Sequence, residues 1–157
     1  MQKRQTVLAV DLDHSLIDTD MIYLGLRQLI CKKIYLLPYL FYLRFFKGKP
    51  HAKEFLYRMT HLNIDKLPYN NELIDYINKE KDKYDHIILI SGSYYKYVQS
   101  IFEHLRLFDS FAGTDITTNM ISENKVKYLN EHFHNPIFDY VGIVLKIYTY
   151  GKNRDMS

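Results

Sequence analysis

The sequence predicts an α/β fold, in which a parallel β-sheet carries helices on both faces and a helical segment is inserted after the first strand. Short apolar runs alternate along the chain with segments of helical periodicity, which is typical of parallel sheets with right-handed crossovers. The first run, TVLAV at residues 6–10, is closed by Asp11 and Asp13, as expected of a buried parallel strand. With 157 residues, the chain has room for one domain with a substantial core.

The other elements follow from the same two periodicities. Further strands are predicted at residues 86–90, 111–114 and 138–141. Ser91-Gly92-Ser93 is interpreted as a turn that leads into a helix. Helices are predicted from residue 20 until Gly48 breaks the pattern, and then at 52–61, 71–83, 94–105 and 125–132.

The cysteine content and the lengths of the apolar runs indicate the cellular compartment in which the chain is expected. Cys31 is the single cysteine, so no internal disulfide can form and a reducing, cytoplasmic location is expected. The N-terminal sequence is unlike a signal peptide, because its apolar run is short and ends in acids. The apolar stretch 34–46 is shorter than the roughly 20 residues that a membrane-spanning helix needs, although it can lie in a membrane interface.

Basic and aromatic residues are concentrated in residues 21–60. This stretch has a net charge of +7, whereas the remainder of the chain has −4. Two interpretations stay open: a solvated basic face on an amphipathic helical pair, or a surface for an anionic, partly apolar partner. The second includes peripheral contact through residues 21–60 with the cytoplasmic face of a membrane. The aromatic residues of the stretch are Tyr23, Tyr35, Tyr39, Phe41, Tyr42, Phe45, Phe46, Phe55 and Tyr57.

Polar residues at the predicted strand ends indicate phosphoryl-transfer chemistry. Ligands of open parallel sheets bind beyond the carboxyl ends of the strands. There, Asp11 would be a nucleophile that forms an aspartyl-phosphate, and Asp13 would be the general acid and base. Asp11 and Asp13 would also hold Mg²⁺, which prefers oxygen ligands. The Ser91 hydroxyl, the backbone N–H groups of Gly92 and Ser93, and the Lys125 ammonium would bind the phosphate.

Three segments that contain these residues resemble the motifs of haloacid-dehalogenase-like (HAD) hydrolases. VLAVDLDHS resembles the first motif, ILISGS the second, and NMISENKVKYL the third. The order of the segments is closest to the HAD-like domain at the N-terminus of UbiA-type prenyltransferase fusion proteins, over about residues 5–142. His14 departs from the glycine that the family usually has there.

This resemblance implies a division of the chain and a class of substrate. Residues 1–19 and 69–142 would form the HAD-like core, and residues 20–68 a helical cap that selects the substrate. The expected substrate is a phosphorylated small molecule or a lipid-linked phosphate, and we expect no nucleic-acid partner.

The family's fourth motif, which supplies further acidic Mg²⁺ ligands, is not found after Gly142. The next acid is Asp155, so residues 143–157 are interpreted as a divergent tail, encoded out of frame in a truncated gene. We expect such a truncation to leave an edge of the sheet uncovered.

Three alternatives to a phosphatase remain. The first is a degenerate HAD domain that binds phosphate or a partner without turnover. The second is a structural role, in which Asp11 and Asp13 end a strand and cap a helix and Ser91 caps another. The third is a response-regulator receiver domain, which would need a phospho-accepting aspartate at the end of a central strand, where this sequence has none.

Overall fold

A computed structural model of the chain describes residues 4–142 and the backbone of residues 146–150. The strands are β1 (Thr6–Val10), β2 (His86–Tyr94), β3 (Ser110–Thr114), β4 (Ile137–Gly142) and β5 (Lys146–Tyr150). The α-helices are α1 (Met21–Lys33), α2 (Leu37–Tyr42), α3 (Lys49–Met59), α4 (Asn71–Glu80), α5 (Tyr95–Leu105) and α6 (Ser122–His132). A π-helix covers Leu43–Lys47, and short 3₁₀ helices cover Ile34–Leu36, Ile64–Lys66 and Lys81–Lys83.

The strands form one sheet in the order β3-β2-β1-β4-β5, in which the first four are parallel. β1 lies in the middle, where Val10 is paired with Leu89 on one side and with Val141 on the other. The carboxyl ends of β1, β2 and β4 therefore meet at one edge of the sheet. The predicted α/β fold, with its helical insertion between the first two strands, is confirmed.

Helices cover both faces of the sheet because β1 is apolar on both. Leu8 and Val10 belong to one buried cluster, which includes Leu73 of α4 and Ile101 of α5. Val7 and Ala9 belong to a second cluster on the opposite face, which includes Leu129 of α6 and Phe138. Alternate residues of a strand point to opposite faces, so a continuous apolar run supplies both cores.

β2 continues through Ser91-Gly92-Ser93, so the prediction of a turn at these residues was wrong. The strand ends at Tyr94, which is paired with Thr114 of β3 beyond an irregularity in the register. Side chains stabilise this extension, since the Ser93 N–H donates to Ser91 Oγ at 3.0 Å. The two serines therefore lie in a strand, and α5 begins only at Tyr95.

The outer edge of β4 is paired, which corrects the prediction of an exposed edge. β5 runs antiparallel to β4, from Gly142 opposite Lys146 to Phe138 opposite Tyr150. An added antiparallel strand satisfies the backbone groups that β4 would otherwise present to solvent. Asp155 lies outside the described residues.

The insertion consists of α1, α2, the π-helix and α3. Asp20 caps α1, accepting hydrogen bonds from the N–H groups of Ile22 and Tyr23 at 2.6 and 3.1 Å. α3 begins at Lys49 rather than residue 52, because Pro50 is tolerated in the first turn of a helix. Over the residues described, no helix is both long and apolar enough to span a bilayer. The boundaries of the cap at residues 20 and 68 stay predictions.

Candidate active site

Asp11, Lys125 and Tyr140 form a closed triangle at the carboxyl edge of the sheet. Lys125 Nζ lies 2.9 Å from Asp11 Oδ1, and the Tyr140 hydroxyl donates to Asp11 Oδ2 at 2.7 Å. Lys125 also donates to the Tyr140 hydroxyl at 2.9 Å. The Leu12 N–H donates to Asp11 Oδ1 at 2.9 Å. The carboxylate of Asp11 is thus held by one cation, one hydroxyl and one backbone amide.

The position of Lys125 on α6 explains why it reaches the site. Its side chain is 10% exposed, whereas that of Lys127, two residues further on, is 72% exposed. Residues two apart on a helix do not share a face, so one lysine points to the sheet and the other to solvent. A lysine in a buried position needs a partner for its charge, and Asp11 supplies it.

Asp13 lies in a different environment from Asp11. Its Oδ2 accepts hydrogen bonds from the hydroxyls of Ser93 and Ser91 at 2.7 and 3.2 Å, and its Oδ1 accepts from the Met21 N–H at 2.9 Å. Burial raises the pKa of the Asp13 carboxyl above its usual value of 3.8, although the Met21 N–H and the Ser93 hydroxyl oppose this shift. The charges of Asp20 and Asp11 raise the pKa further. Such a carboxyl can carry a proton more readily than an exposed one.

A tight turn after β1 aims the two aspartates in different directions. His14 has a φ of 55°, in the left-handed region that glycine adopts most readily. The turn is closed by the His14 N–H, which donates to the Thr19 carbonyl at 2.9 Å, and by a bridge between Asp13 and Ile17.

Lys53 is a site residue that the sequence did not single out. It lies on α3 and donates to the Gly92 carbonyl and, at 3.1 Å, to Asn119 Oδ1. Burial lowers the pKa of Lys53, while the charge of Asp13 raises it. In the sequence, Lys53 is one of several lysines in a basic stretch, and only the packing of α3 against the core distinguishes it.

The predicted phosphate-binding residues of β2 lie at the site, in arrangements that differ from the prediction. Ser91 donates to Asp13, and the Ser93 N–H is already bonded to Ser91 Oγ. The Gly92 carbonyl accepts from Lys53 and, at 2.8 Å, from Thr114 Oγ1. The expectation of a helix N-terminus at Gly92 and Ser93 was wrong, because both residues lie within β2.

Two cavities flank the site. One, of about 880 Å³, is lined by Asp11, Lys125 and Tyr140, together with the exposed side of α6. The other, of about 360 Å³, lies within the insertion and is predominantly apolar. Leu26, Leu40, Phe41 and Leu56 line it, with Lys53 and Ile121 at its border with the core.

Two groups with oxygens suited to a divalent cation are the Asp11 carboxylate and the Asp13 backbone carbonyl, which accepts a hydrogen bond from Ser15 Oγ at 3.4 Å. Within residues 4–142, no three His, Cys, Asp or Glu side chains cluster as a metal site. Mg²⁺ commonly uses only one or two carboxylates, completing its shell with water and substrate phosphate. The chemistry of the two donors therefore fits Mg²⁺, with most of the shell left to water and substrate.

Comparisons with known proteins give distant similarities. No family model matches the chain. The uncharacterized protein y4nM of Sinorhizobium fredii is 28% identical over 88 residues, which are 56% of this chain and 17% of that protein. The chain thus spans about a sixth of the length of this relative.

Two solved structures have TM-scores of 0.45. A HAD-superfamily hydrolase from Ehrlichia chaffeensis is 21% identical, with 84% of this chain and 74% of that chain covered. A phosphoserine phosphohydrolase-like protein from Francisella tularensis is 12% identical, with 85% of each chain covered. Such distant likenesses leave the function to be inferred from the described residues themselves.

Proposed function

We propose that this chain is a Mg²⁺-dependent phosphatase of HAD type that acts through an aspartyl-phosphate on Asp11. The observation that carries the proposal is the contrast between two neighbouring carboxyl groups. Asp11 is paired with the Lys125 ammonium at 2.9 Å, whereas Asp13 is half-buried, accepts hydrogen bonds from two hydroxyls and has a raised pKa. Two carboxyl groups in unlike environments can divide the roles of nucleophile and acid.

The side chains can perform the reaction in two steps. First, an Asp11 oxygen forms a bond to phosphorus while the bond to the leaving oxygen breaks, and Asp13 donates its proton to that oxygen. Water then attacks phosphorus while the bond between phosphorus and the Asp11 oxygen breaks, Asp13 takes a proton from the water, and inorganic phosphate leaves. Lys125 compensates the negative charge that gathers around Asp11, and the Ser91 hydroxyl supplies a further donor once Asp13 is protonated.

Mg²⁺, held by the Asp11 carboxylate and the Asp13 carbonyl, would neutralise phosphoryl charge. The substrate would be a small or lipid-linked phosphomonoester. The apolar cavity of the insertion supports a substrate with an apolar portion, because Leu26, Leu40 and Phe41 offer that portion an apolar surface. Lys53 lies between this cavity and Asp13, where its charge suits a phosphate.

A steady-state assay with p-nitrophenyl phosphate and MgCl₂ tests the proposal. Asp11→Asn should lower kcat/KM by at least about a thousandfold, because the amide is a poor nucleophile. Asp18→Asn is the matched control, since this exposed aspartate lies in the same loop. Circular dichroism should show the same fold in both variants. Activity of Asp11→Asn within tenfold of the unsubstituted chain would exclude an aspartyl-phosphate on Asp11.

One observation favours a second candidate, a HAD-like domain that binds phosphate or a partner without turnover. Lys125 and Tyr140 already occupy both carboxylate oxygens of Asp11. If these contacts persist, they compete with both metal and phosphorus for the carboxylate oxygens. Calorimetric titration distinguishes the candidates, because the non-catalytic domain should show no Mg²⁺ binding at millimolar concentrations.

A further inference from the structure

Exposed apolar side chains of the described residues are concentrated in one part of the insertion. Of the thirteen large apolar residues that are exposed, ten lie between Ile22 and Phe46. Phe45 and Phe46 are 73% and 77% exposed, and Tyr35 is 71% exposed. Leu43 is the single buried residue among positions 34–47. A surface patch of this kind on a folded domain usually marks an interaction site.

The exposed side chains of residues 34–47, which we term the aromatic surface, form an ordered array. Tyr39 is stacked on Tyr42 at 6.1 Å between ring centroids, and Tyr42 on Phe46 at 5.2 Å. Phe41 is stacked on Phe45 at 6.4 Å. The array is therefore a preformed apolar face carried by α2 and the π-helix.

The part of the insertion that carries the aromatic surface has charge of one sign. From residue 21 to residue 53 the chain has seven lysines and arginines and no acid. Arg44, Lys47 and Lys49 are exposed within or beside the aromatic surface, as are Arg27 and Lys32 on α1. Arg44 also lies over the ring of Phe45, at 5.9 Å from its centroid. A partner for this face must offer both an apolar layer and negative charge.

We propose that the aromatic surface docks on the interface of a membrane containing anionic lipids. Aromatic rings settle at the level of the headgroups, while lysines and arginines attract anionic lipids at about 1 kcal/mol each. The helical segment 34–47 spans about 21 Å at 1.5 Å per residue, too short to cross the hydrocarbon layer but long enough to lie in its plane. This binding does not depend on catalysis by Asp11.

The aromatic surface also borders the apolar cavity of the insertion. Phe41 and Arg44 belong to the aromatic surface and also line the cavity of about 360 Å³. Docking would therefore bring the cavity next to the lipid layer. If the chain is the phosphatase proposed above, a lipid-linked phosphate could enter from the membrane without passing through water.

Co-sedimentation of the full chain with vesicles tests the docking. We expect binding to vesicles of phosphatidylglycerol and phosphatidylcholine, and much weaker binding to phosphatidylcholine alone. Raising NaCl to 0.5 M should weaken it by screening. Phe45→Ser with Phe46→Ser should lower the partition coefficient by about tenfold per ring. Arg44→Gln with Lys47→Gln should lower it by about thirtyfold in total.

Matched controls outside the aromatic surface should leave binding unchanged. Lys79→Gln with Lys81→Gln removes two exposed charges at the end of α4, and Ile116→Ser removes one exposed apolar side chain. No vesicle binding, or binding that survives the Phe45 and Phe46 substitutions, would overturn the proposal. A lipid-free dimer that these substitutions dissociate, without vesicle binding, would assign the face to a second copy of the chain instead.

Discussion

Replacing Lys125 with methionine should destabilise the fold, because it leaves Asp11 without its cation. The two side chains are 10% and 18% exposed, so the pair is mostly buried but retains contact with water. Breaking a fully buried pair costs about 3–5 kcal/mol. An exposed pair is worth at most about 1 kcal/mol. We therefore expect a loss of about 2–3 kcal/mol, which corresponds to a fall in Tm of roughly 5–10 °C for a domain of this size.

A double-mutant cycle isolates the interaction from the loss of side-chain packing. Urea unfolding followed by far-UV circular dichroism would be measured for Lys125→Met, Asp11→Asn and the double variant. In the double variant no unpaired charge is left, so its destabilisation should be less than the sum of the single effects by about 1–3 kcal/mol. Lys127→Met is the control, because Lys127 is 72% exposed. Additive single effects, or a loss below about 0.5 kcal/mol for Lys125→Met, would refute the reasoning.

Three further predictions concern the surroundings of the aspartate pair. Burial raises the pKa of Asp13 in the folded chain above its usual value of 3.8. The folded chain therefore loses stability as the pH rises from 3.8 through the folded pKa, because Asp13 must ionise where its charge is disfavoured. The free energy of unfolding of Asp13→Asn, measured relative to the unsubstituted chain in urea titrations, should therefore be higher at pH 7 than at pH 3. The same relative value at both pH values would contradict this. Tyr140→Phe should cost about 1–2 kcal/mol in the same titrations, because its hydroxyl bonds to both Asp11 and Lys125; no loss would show that this bond is not formed in solution. Gly113→Ala should lower Tm more than Gly92→Ala, since the added Cβ would lie 2.6 Å from the Tyr95 backbone at position 113 but 3.2 Å from the Ile121 side chain at position 92. The reverse order would contradict the packing of β3 against α5.

The sequence predicts the central part of the fold well because burial dominates there. β1 and the start of β2 are apolar on both faces, and this pattern fits a central parallel strand better than any surface element. The end of β2 depends instead on contacts that lie far apart in the sequence. Ser91 and Ser93 stay extended because they meet Asp13 and because Tyr94 is paired with Thr114, and neither contact leaves a local signal.

The candidate site was predicted in part for a similar reason. Asp11 and Asp13 follow β1, Ser91 lies near the carboxyl end of β2, and Lys125 lies in the first turn of α6. Topology therefore brings them to one edge of the sheet. Tyr140 lies inside an apolar strand and Lys53 in a basic helix, where each has an ordinary structural explanation. Their contacts with Asp11 and Gly92 arise only when β4 and α3 pack in three dimensions.

Trapping the phosphoenzyme is the most direct test that Asp11 is the phosphoryl acceptor. The chain would be mixed with p-nitrophenyl phosphate and MgCl₂, quenched with acid and treated with borohydride, which reduces an acyl phosphate to an alcohol. Mass spectrometry should then find homoserine in place of aspartate at position 11, unchanged aspartate at position 13, and no reduction in the Asp11→Asn variant. Turnover without homoserine at position 11 would contradict the proposed mechanism, and the absence of both turnover and homoserine would favour the non-catalytic domain.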